Sequence, residues 1–150
     1  MTDGAKNFRA FITQELMPTI DEKYRTTSRK GIVGESLAGL FVMETFLAHP
    51  STFDFYIAMD PSLWWNNHYL VENADSLLSA FPPNQITLWF AGSSAEDISK
   101  NTKSLNSKLK ESAPTNLTWN YSDQPEEQHS TIFRATKEEA LIWVLVNNTN

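Results

Sequence analysis

The chain has 150 residues, of which 41% are hydrophobic, 12% aromatic and 20% charged, and its formal net charge at pH 7 is −6. This length is enough for one domain with a sizeable core, and the composition is that of a globular protein rather than a disordered one. The acidic balance argues against nucleic acid or an anionic membrane as the partner. Cysteine is absent from the sequence, which excludes disulfides and thiolate chemistry but leaves the compartment open.

The start of the chain, Met1 to Gly4, lacks a basic stretch followed by an apolar run, so we expect no signal peptide there. No window of the sequence reaches the apolar length of a membrane span. These features do not determine the localisation, and cytoplasmic is the default expectation.

The first predicted element is a helix over residues 5–20. Its apolar residues recur at helical spacing: Phe8, Phe11, Ile12, Leu16 and Ile20. Pro18 should kink or end this helix near its last turn, because proline lacks the N–H that a helix interior requires. A polar connector over residues 21–29 then leads into the rest of the chain.

Strands and helices alternate from residue 31 onward. The predicted strands cover residues 31–35, 53–59, 85–92 and 116–121. The predicted helices cover residues 37–48, 68–81, 98–112 and 131–146. Near-continuous apolar strands that alternate with helices indicate an α/β fold with a parallel sheet of about four strands and helices on both faces. We find no repeat or linker and therefore predict a single domain over residues 1–150.

The segment GESLAGL places a serine at the predicted junction of the first strand and the following helix. Gly34 and Ala38 flank Ser36 at two residues on either side, which gives the pattern G-x-S-x-A. Small neighbours allow the sharp turn of a nucleophile elbow, where the serine Oγ stands clear of the sheet and the helix N-terminus offers N–H groups to an oxyanion. The same pattern is compatible with an ordinary strand-to-helix turn.

A serine nucleophile needs a base, and the chain has three histidines. His49 ends a predicted helix just before a proline, and His68 lies in a polar turn with no evident role. His129 follows the last strand, and loops after parallel strands gather at one edge of the sheet, where Ser36 also lies. We therefore predict His129 as the base.

The carboxylate that would orient this histidine is expected between serine and histidine in chain order. We favour Asp97, which follows the strand at 85–92 together with Glu96. The alternative is that this pair only caps the next helix. Asp60 and Glu126 are further candidates, and a Ser-His dyad without an acid is also compatible with the sequence.

Four pieces of the chain are specific in their order and spacing. They are FRAFITQELMPTIDEKY before the elbow, GIVGESLAGLF at it, DPSLWW after the next strand, and EEQHSTIF around the histidine. Together they resemble the enterobactin-type siderophore esterases of the α/β-hydrolase superfamily. The resemblance implies a serine esterase acting on a small-molecule ester without metal or cofactor. By position it makes Ser36 the nucleophile and His129 the general base, with the Leu37 N–H as an oxyanion donor and Trp64 near the pocket.

The chain departs from that family pattern at three positions and in its extent. Glu35 stands where a histidine is common, Ala38 replaces a glycine, and Asp60 replaces the usual serine of SPSLWW. The chain corresponds to the C-terminal half of such hydrolases, so the strands that normally precede the elbow, and the loop that supplies a second oxyanion donor, would be lacking.

The elbow strand would then become an edge, which invites pairing with a second copy of the chain. Two other hypotheses about the function of the chain stay open. One is a non-catalytic domain with an incomplete oxyanion hole. The other is an interaction module that uses the edge and the surface of Trp64 and Trp65.

Overall fold

The computed structural model of the protein describes residues 3–147, with side chains from residue 4 onward. The chain divides into two compact units, one ending at Lys30 and one beginning at Gly31. The single domain expected over residues 1–150 stays a prediction. Among the described residues, no helix combines the length and the apolar character needed to cross a bilayer.

The first unit is helical, with α1 over Asp3–Phe11, a π-helical turn over Ile12–Leu16 and α2 over Met17–Lys23. Pro18 does not end the helical segment, because α2 continues five residues past that proline, to Lys23. Pro18 lies in the first turn of α2, directly after the wider π turn. The N–H of Met17 donates to the carbonyl of Ile12, which is the i→i−5 bond of a π turn, so the helix widens directly before the proline, which has no N–H to donate.

The second unit is built on a four-stranded parallel sheet. The strands are β1 (Gly31–Glu35), β2 (Phe55–Met59), β3 (Ile86–Gly92) and β4 (Leu117–Asp123). Their spatial order follows their order in the chain, and each neighbouring pair is parallel. The predicted α/β-hydrolase-like parallel sheet is thereby confirmed, with strand boundaries within two residues of those expected.

Helices cover both faces of this sheet. They are α3 (Ser36–Ala48), α4 (Trp65–Glu72), α5 (Ala74–Ser79), α6 (Glu96–Ser112) and α7 (Ile132–Asn147), with a 3₁₀ turn at Pro50–Thr52. On one face, α7 packs against β2 and β3 and buries Ile57, Trp89 and Val144 in a common cluster. On the other face, α3 lies against β1 and β2, where the rings of Phe46 and Tyr56 meet edge to face at 5.5 Å.

The helix predicted over residues 68–81 is two short helices instead, α4 and α5, and α4 begins irregularly. Asn66, Asn67 and His68 have φ angles of 52°, 51° and 59°, which is left-handed backbone. Asparagine and histidine enter this region more readily than most residues, so the sequence tolerates the turn here. Hydrophobic periodicity does not report such a reversal, because it follows apolar side chains and not the sign of φ.

Within residues 31–147, β1 is an edge strand of the sheet, since β2 is its neighbour on one side only. Its Val33 points to the same face as Ile57 and is 44% exposed. The edge position expected for the elbow strand is confirmed.

Candidate active site

The carboxyl ends of the four parallel strands lie at one edge of the sheet, and the loops that follow them bring polar side chains together there. Ser36 follows β1 directly, Asp60 follows β2, and Ser93 follows β3. His129 lies in the connection between β4 and α7. Each strand thus contributes one residue to a shared polar site.

Ser36 occupies a sharp turn between β1 and α3, with a φ of 57°. Left-handed backbone is unfavourable for a residue that carries a Cβ, so the surrounding packing must hold this conformation. Gly34 makes the turn possible, because a Cβ there would lie 2.5 Å from the backbone of Ala38. A Cβ on Gly39 would lie 3.1 Å from the Cα of Pro61. This is the geometry of a nucleophile elbow.

The hydroxyl of Ser36 lies within hydrogen-bond distance of an imidazole. Its Oγ is 3.1 Å from Nε2 of His129. His129 lies in a turn three residues before α7 begins, and its side chain is 46% exposed. The two residues are separated by 93 positions in the sequence, so this contact depends on the parallel sheet that brings both loops to one edge.

Asp60 is the carboxylate that meets this imidazole. Its Oδ2 lies 2.9 Å from Nδ1 of His129, and its Oδ1 accepts a hydrogen bond of 2.6 Å from the backbone N–H of Ser93. The residue is fully buried and has a φ of 45°. A buried carboxylate requires compensating partners, and here each of its two oxygens has one.

Asp97, the favoured acid of the sequence analysis, does not contact His129. It lies in the first turn of α6, where its Oδ1 accepts a hydrogen bond of 3.0 Å from the N–H of Ile98. Glu96 is an exposed residue of the same turn. The prediction that Asp97 lies beside the imidazole is therefore wrong. Asp60, a further candidate from the sequence, occupies that position.

The order of the strands explains why Asp60, and not Asp97, contacts the imidazole. β2 is the immediate neighbour of β1, so a residue that directly follows β2 lies one strand away from Ser36. Asp97 comes five residues after β3, and by then the chain has already entered a helix. The useful signal in the sequence was the position of Asp60 directly after an apolar strand and before Pro61, together with its replacement of a serine in the DPSLWW piece.

Leu37 follows Ser36 in the first turn of α3, and its side chain is exposed. The first N–H groups of a helix have no intrahelical partner and point toward the space beyond its N-terminus. The Leu37 N–H is therefore positioned as a donor for an oxygen that carries negative charge beside Ser36.

Trp64 and Trp65 form an exposed aromatic pair on the loop that follows Asp60. Their ring centroids are 5.8 Å apart, and Trp64 is 39% exposed. The backbone joins this loop to the elbow, because the N–H of Ser62 donates to the carbonyl of Ser36 at 3.1 Å. The N–H of Trp65 in turn donates to the carbonyl of Ser62 at 3.0 Å. The pair is thus connected to the turn that carries Ser36 by two consecutive hydrogen bonds.

The other two histidines take no part in this arrangement. His49 terminates α3, as expected from the sequence, and its carbonyl accepts a hydrogen bond of 2.7 Å from Thr52. His68 lies in the left-handed turn, with Nδ1 2.9 Å from Oδ1 of Asn101. In the part of the chain that the structure describes, no three His, Cys, Asp or Glu side chains are grouped so as to hold a metal ion.

The family model described as "Putative esterase" matches residues 1–144. This match extends over both units and almost the whole chain. The chain belongs to this esterase family. Ser36, His129 and Asp60 all lie within the matched residues.

Relatives with assigned names share part of this sequence. Over 82 residues the chain is 38% identical to the ferri-bacillibactin esterase BesA of Bacillus subtilis, a match that covers 54% of this chain and 28% of that protein. Over 79 residues it is 34% identical to a siderophore enterobactin esterase of Emericella nidulans, covering 51% of this chain and 26% of that protein.

Solved structures agree with the fold over most of the chain. The BES protein from Bacillus cereus superimposes with a TM-score of 0.85 at 25% identity, over 93% of this chain and 54% of that one. An IroE-like serine hydrolase from Shewanella oneidensis gives a TM-score of 0.85 at 26% identity, over 93% of this chain and 47% of that one. The chain thus spans about half the length of these two proteins.

Proposed function

We propose that this protein is a serine ester hydrolase in which Ser36 is the nucleophile, His129 the general base and Asp60 the acid that orients the base. The observation that carries the proposal is the continuous series of contacts from Ser36 Oγ to His129 Nε2 at 3.1 Å and from His129 Nδ1 to Asp60 Oδ2 at 2.9 Å. Serine, histidine and aspartate in this geometry are the parts of a nucleophilic triad.

The proposed reaction begins when Oγ of Ser36 attacks the carbonyl carbon of the ester and its proton passes to Nε2 of His129. The buried carboxylate of Asp60 holds Nδ1–H and stabilises the imidazolium that forms. The carbonyl oxygen, now negatively charged, accepts a hydrogen bond from the Leu37 N–H at the N-terminus of α3. Collapse of this intermediate transfers the proton from His129 to the leaving alcohol and leaves an acyl group on Ser36.

The second half of the proposed reaction repeats these roles with water. His129 removes a proton from a water molecule, whose oxygen attacks the acyl carbon, and the carboxylic acid leaves as Oγ regains its proton. Removing one oxyanion donor costs about 10²–10³ in rate in enzymes of this kind. Loss of the Leu37 donor alone is therefore expected to slow the reaction rather than abolish it.

We extend the proposal to the substrate class on the strength of the relatives, two of which are named as esterases of ferri-bacillibactin and of enterobactin. Esters of the siderophore type are thus the proposed substrates. The exposed rings of Trp64 and Trp65 would lie beside such a ligand, because their loop is hydrogen-bonded to the turn of Ser36.

A covalent label and a turnover assay together test the proposal. A fluorophosphonate probe should modify wild-type protein at Ser36, as located by peptide mass spectrometry, and Ser36→Ala and His129→Ala should abolish the labelling. Hydrolysis of p-nitrophenyl butyrate should fall by about 10³-fold or more in both variants, to a residual rate that is still measurable above the uncatalysed reaction. Ser107→Ala is the matched control, because this exposed serine of α6 donates to the carbonyl of Lys103, within its own helix. The proposal would be refuted if the probe failed to modify the wild-type protein and the wild-type protein hydrolysed the ester no faster than Ser36→Ala.

A further inference from the structure

The end of β3 lies between the end of β2, which carries Asp60, and the end of β4, after which comes the loop that carries His129. The backbone N–H of Ser93 donates to Oδ1 of Asp60 at 2.6 Å, and the N–H of Asp60 donates to the carbonyl of Ala91 at 3.0 Å. The first residue after β3 therefore fixes the carboxylate. The next residue, Ser94, faces the other way, toward the loop that carries His129.

Ser94 makes two hydrogen bonds to one carbonyl group of that loop. Its backbone N–H donates to the carbonyl of Glu127 at 2.9 Å, and its Oγ donates to the same oxygen at 2.8 Å. A carbonyl oxygen has two lone pairs, so both can be used. Glu127 precedes His129 by only two residues, and a third bond, from the N–H of Gln124 to the carbonyl of Gly92 at 2.9 Å, joins the same loop to β3.

The loop is closed on its other side by Thr131. Its Oγ donates to the carboxylate of Glu127 at 2.6 Å and accepts from the N–H of Gln128 at 3.0 Å. His129 itself is nearly half exposed, so hydrophobic packing contributes little to its position. The position of the imidazole therefore depends on its own contact with Asp60 and on the hydrogen bonds that fix the backbone of its loop.

We propose that the hydroxyl of Ser94 is a positioning group for His129, so that adjacent residues at the end of β3 set the distance between the base and its acid. Ser93 holds the carboxylate and Ser94 holds the loop of the imidazole. This inference rests on the proposed serine hydrolase function. A displacement of 1 Å in a reacting group can cost about 10²-fold in rate, so one hydrogen bond that fixes the loop bears on turnover.

The same hydroxyl should matter little for global stability. Ser94 is exposed, so its replacement by alanine leaves no cavity, and the carbonyl of Glu127 keeps the N–H donor of Ser94. Removing one partner of an exposed hydrogen bond lets water replace it at small cost. The effect of the change is therefore expected in kcat and not in the melting temperature.

The test measures p-nitrophenyl butyrate hydrolysis by the full chain. Ser94→Ala should lower kcat between about 10- and 100-fold while KM stays within twofold, since the hydroxyl of Ser94 is directed at the carbonyl of Glu127. Ser94→Thr keeps the hydroxyl and should restore kcat to within threefold of wild type. Ser107→Ala loses a comparable side-chain bond to a carbonyl and should leave kcat unchanged.

A double variant shows whether Ser94 acts through the histidine. In a His129→Ala background, Ser94→Ala should cause no further loss of the residual rate, because no imidazole remains to be positioned. Equal losses in both backgrounds, or an unchanged kcat in the single variant, would overturn the inference. If Ser36→Ala and His129→Ala instead retain wild-type rates, the proposed function itself has failed, and the two failures are thus distinguishable.

Discussion

Asp60 and His129 meet at 2.9 Å between Oδ2 and Nδ1, although 69 residues separate them in the sequence. The contact joins a fully buried carboxylate to a half-exposed imidazole. Burial fixes the orientation of the Asp60 carboxylate, because its two oxygens face Ser93 and His129 rather than water. The imidazole is thereby held with its other nitrogen toward Ser36.

Replacement of Asp60 by asparagine should lower kcat by about 10³–10⁴-fold, the loss seen when the acid of a serine triad becomes an amide. The asparagine NH₂ can donate to Nδ1, which favours the tautomer with a proton on Nε2, and that nitrogen then cannot accept the serine proton. The check is steady-state hydrolysis of p-nitrophenyl butyrate, with circular dichroism to confirm folding.

Asp97→Asn is the matched control for this experiment, because Asp97 accepts a hydrogen bond from the N–H of Ile98 in its own helix instead of contacting the imidazole. We expect its kcat within twofold of wild type. A wild-type rate for Asp60→Asn would favour a Ser-His dyad, and a large loss in Asp97→Asn would restore the acid first expected from the sequence.

The left-handed φ of 57° at Ser36 predicts a difference in stability between two inactive variants. Ser36→Ala keeps a Cβ in this conformation, whereas Ser36→Gly removes the steric penalty. We expect the free energy of unfolding to be about 1 kcal/mol higher for the glycine variant than for the alanine variant, because only alanine keeps the Cβ that is unfavourable at this φ. Both variants have lost the same Oγ, so its contribution cancels in the comparison. Urea titrations at one pH would measure this, and equal midpoints would show that the turn is not strained.

Tyr121 predicts a pH dependence of stability in the alkaline range. Burial of its ring raises the pKa of the hydroxyl from 10.0 to about 12, and its Oη lies 3.2 Å from Oγ1 of Thr102. Between pH 10 and pH 12 the unfolded chain loses this proton while the folded chain keeps it, so the folded state loses stability as the pH rises through this window.

The measurement is the unfolding free energy of wild type and of Tyr121→Phe from pH 9 to pH 12. Phenylalanine cannot ionise, so the advantage of wild type over the variant should be constant up to about pH 10 and should then shrink. Other tyrosines and lysines titrate in both proteins and cancel in the difference. Parallel curves across the window would contradict the shifted pKa.

The exposed edge strand predicts self-association. β1 has a partner on one side only within residues 31–147, and its Val33 points to the face that α7 covers elsewhere. α7 also exposes Ile142 and Leu145. We propose a homodimer through this region, because apolar side chains beside an unpaired edge favour pairing with another chain.

Sedimentation velocity tests for the dimer. Protein concentrations from about 1 to 100 µM cover the dissociation constants expected of a modest interface. Val33→Lys should shift the species toward monomer, since a charged side chain on an edge opposes pairing. Lys110→Glu, on the exposed end of α6, is the control and should leave the distribution unchanged. A wild-type chain that stays monomeric throughout would refute the proposal.

Much of the second unit could be predicted because its signals are local. The apolar runs of β2 and β3 are continuous, and the small residues Gly34 and Ala38 around Ser36 indicate a sharp turn from their size and spacing alone. The pairing of Ser36 with His129 followed from the general rule that parallel strands end at one edge. These inferences required no distances.

The acid could not be identified in this way, because the distance from each candidate carboxylate to the imidazole of His129 is not encoded in the spacing of the sequence. Asp60 and Asp97 both follow strands, and chain order alone does not tell which side chain reaches the imidazole. The left-handed backbone at Asn66 and Asn67 and the π turn before Pro18 were missed for a related reason. Each is a change in backbone conformation that leaves the spacing of apolar side chains almost unaltered.

The hydrogen bond between the Ser93 N–H and Asp60 has a consequence for where an acid can be placed. It shows that the ends of β2 and β3 lie side by side, so the first residues after these two strands are close to one another. A carboxylate moved from the first residue after β2 to the first residue after β3 would therefore stay at the same part of the sheet edge and would need no change in the sheet itself.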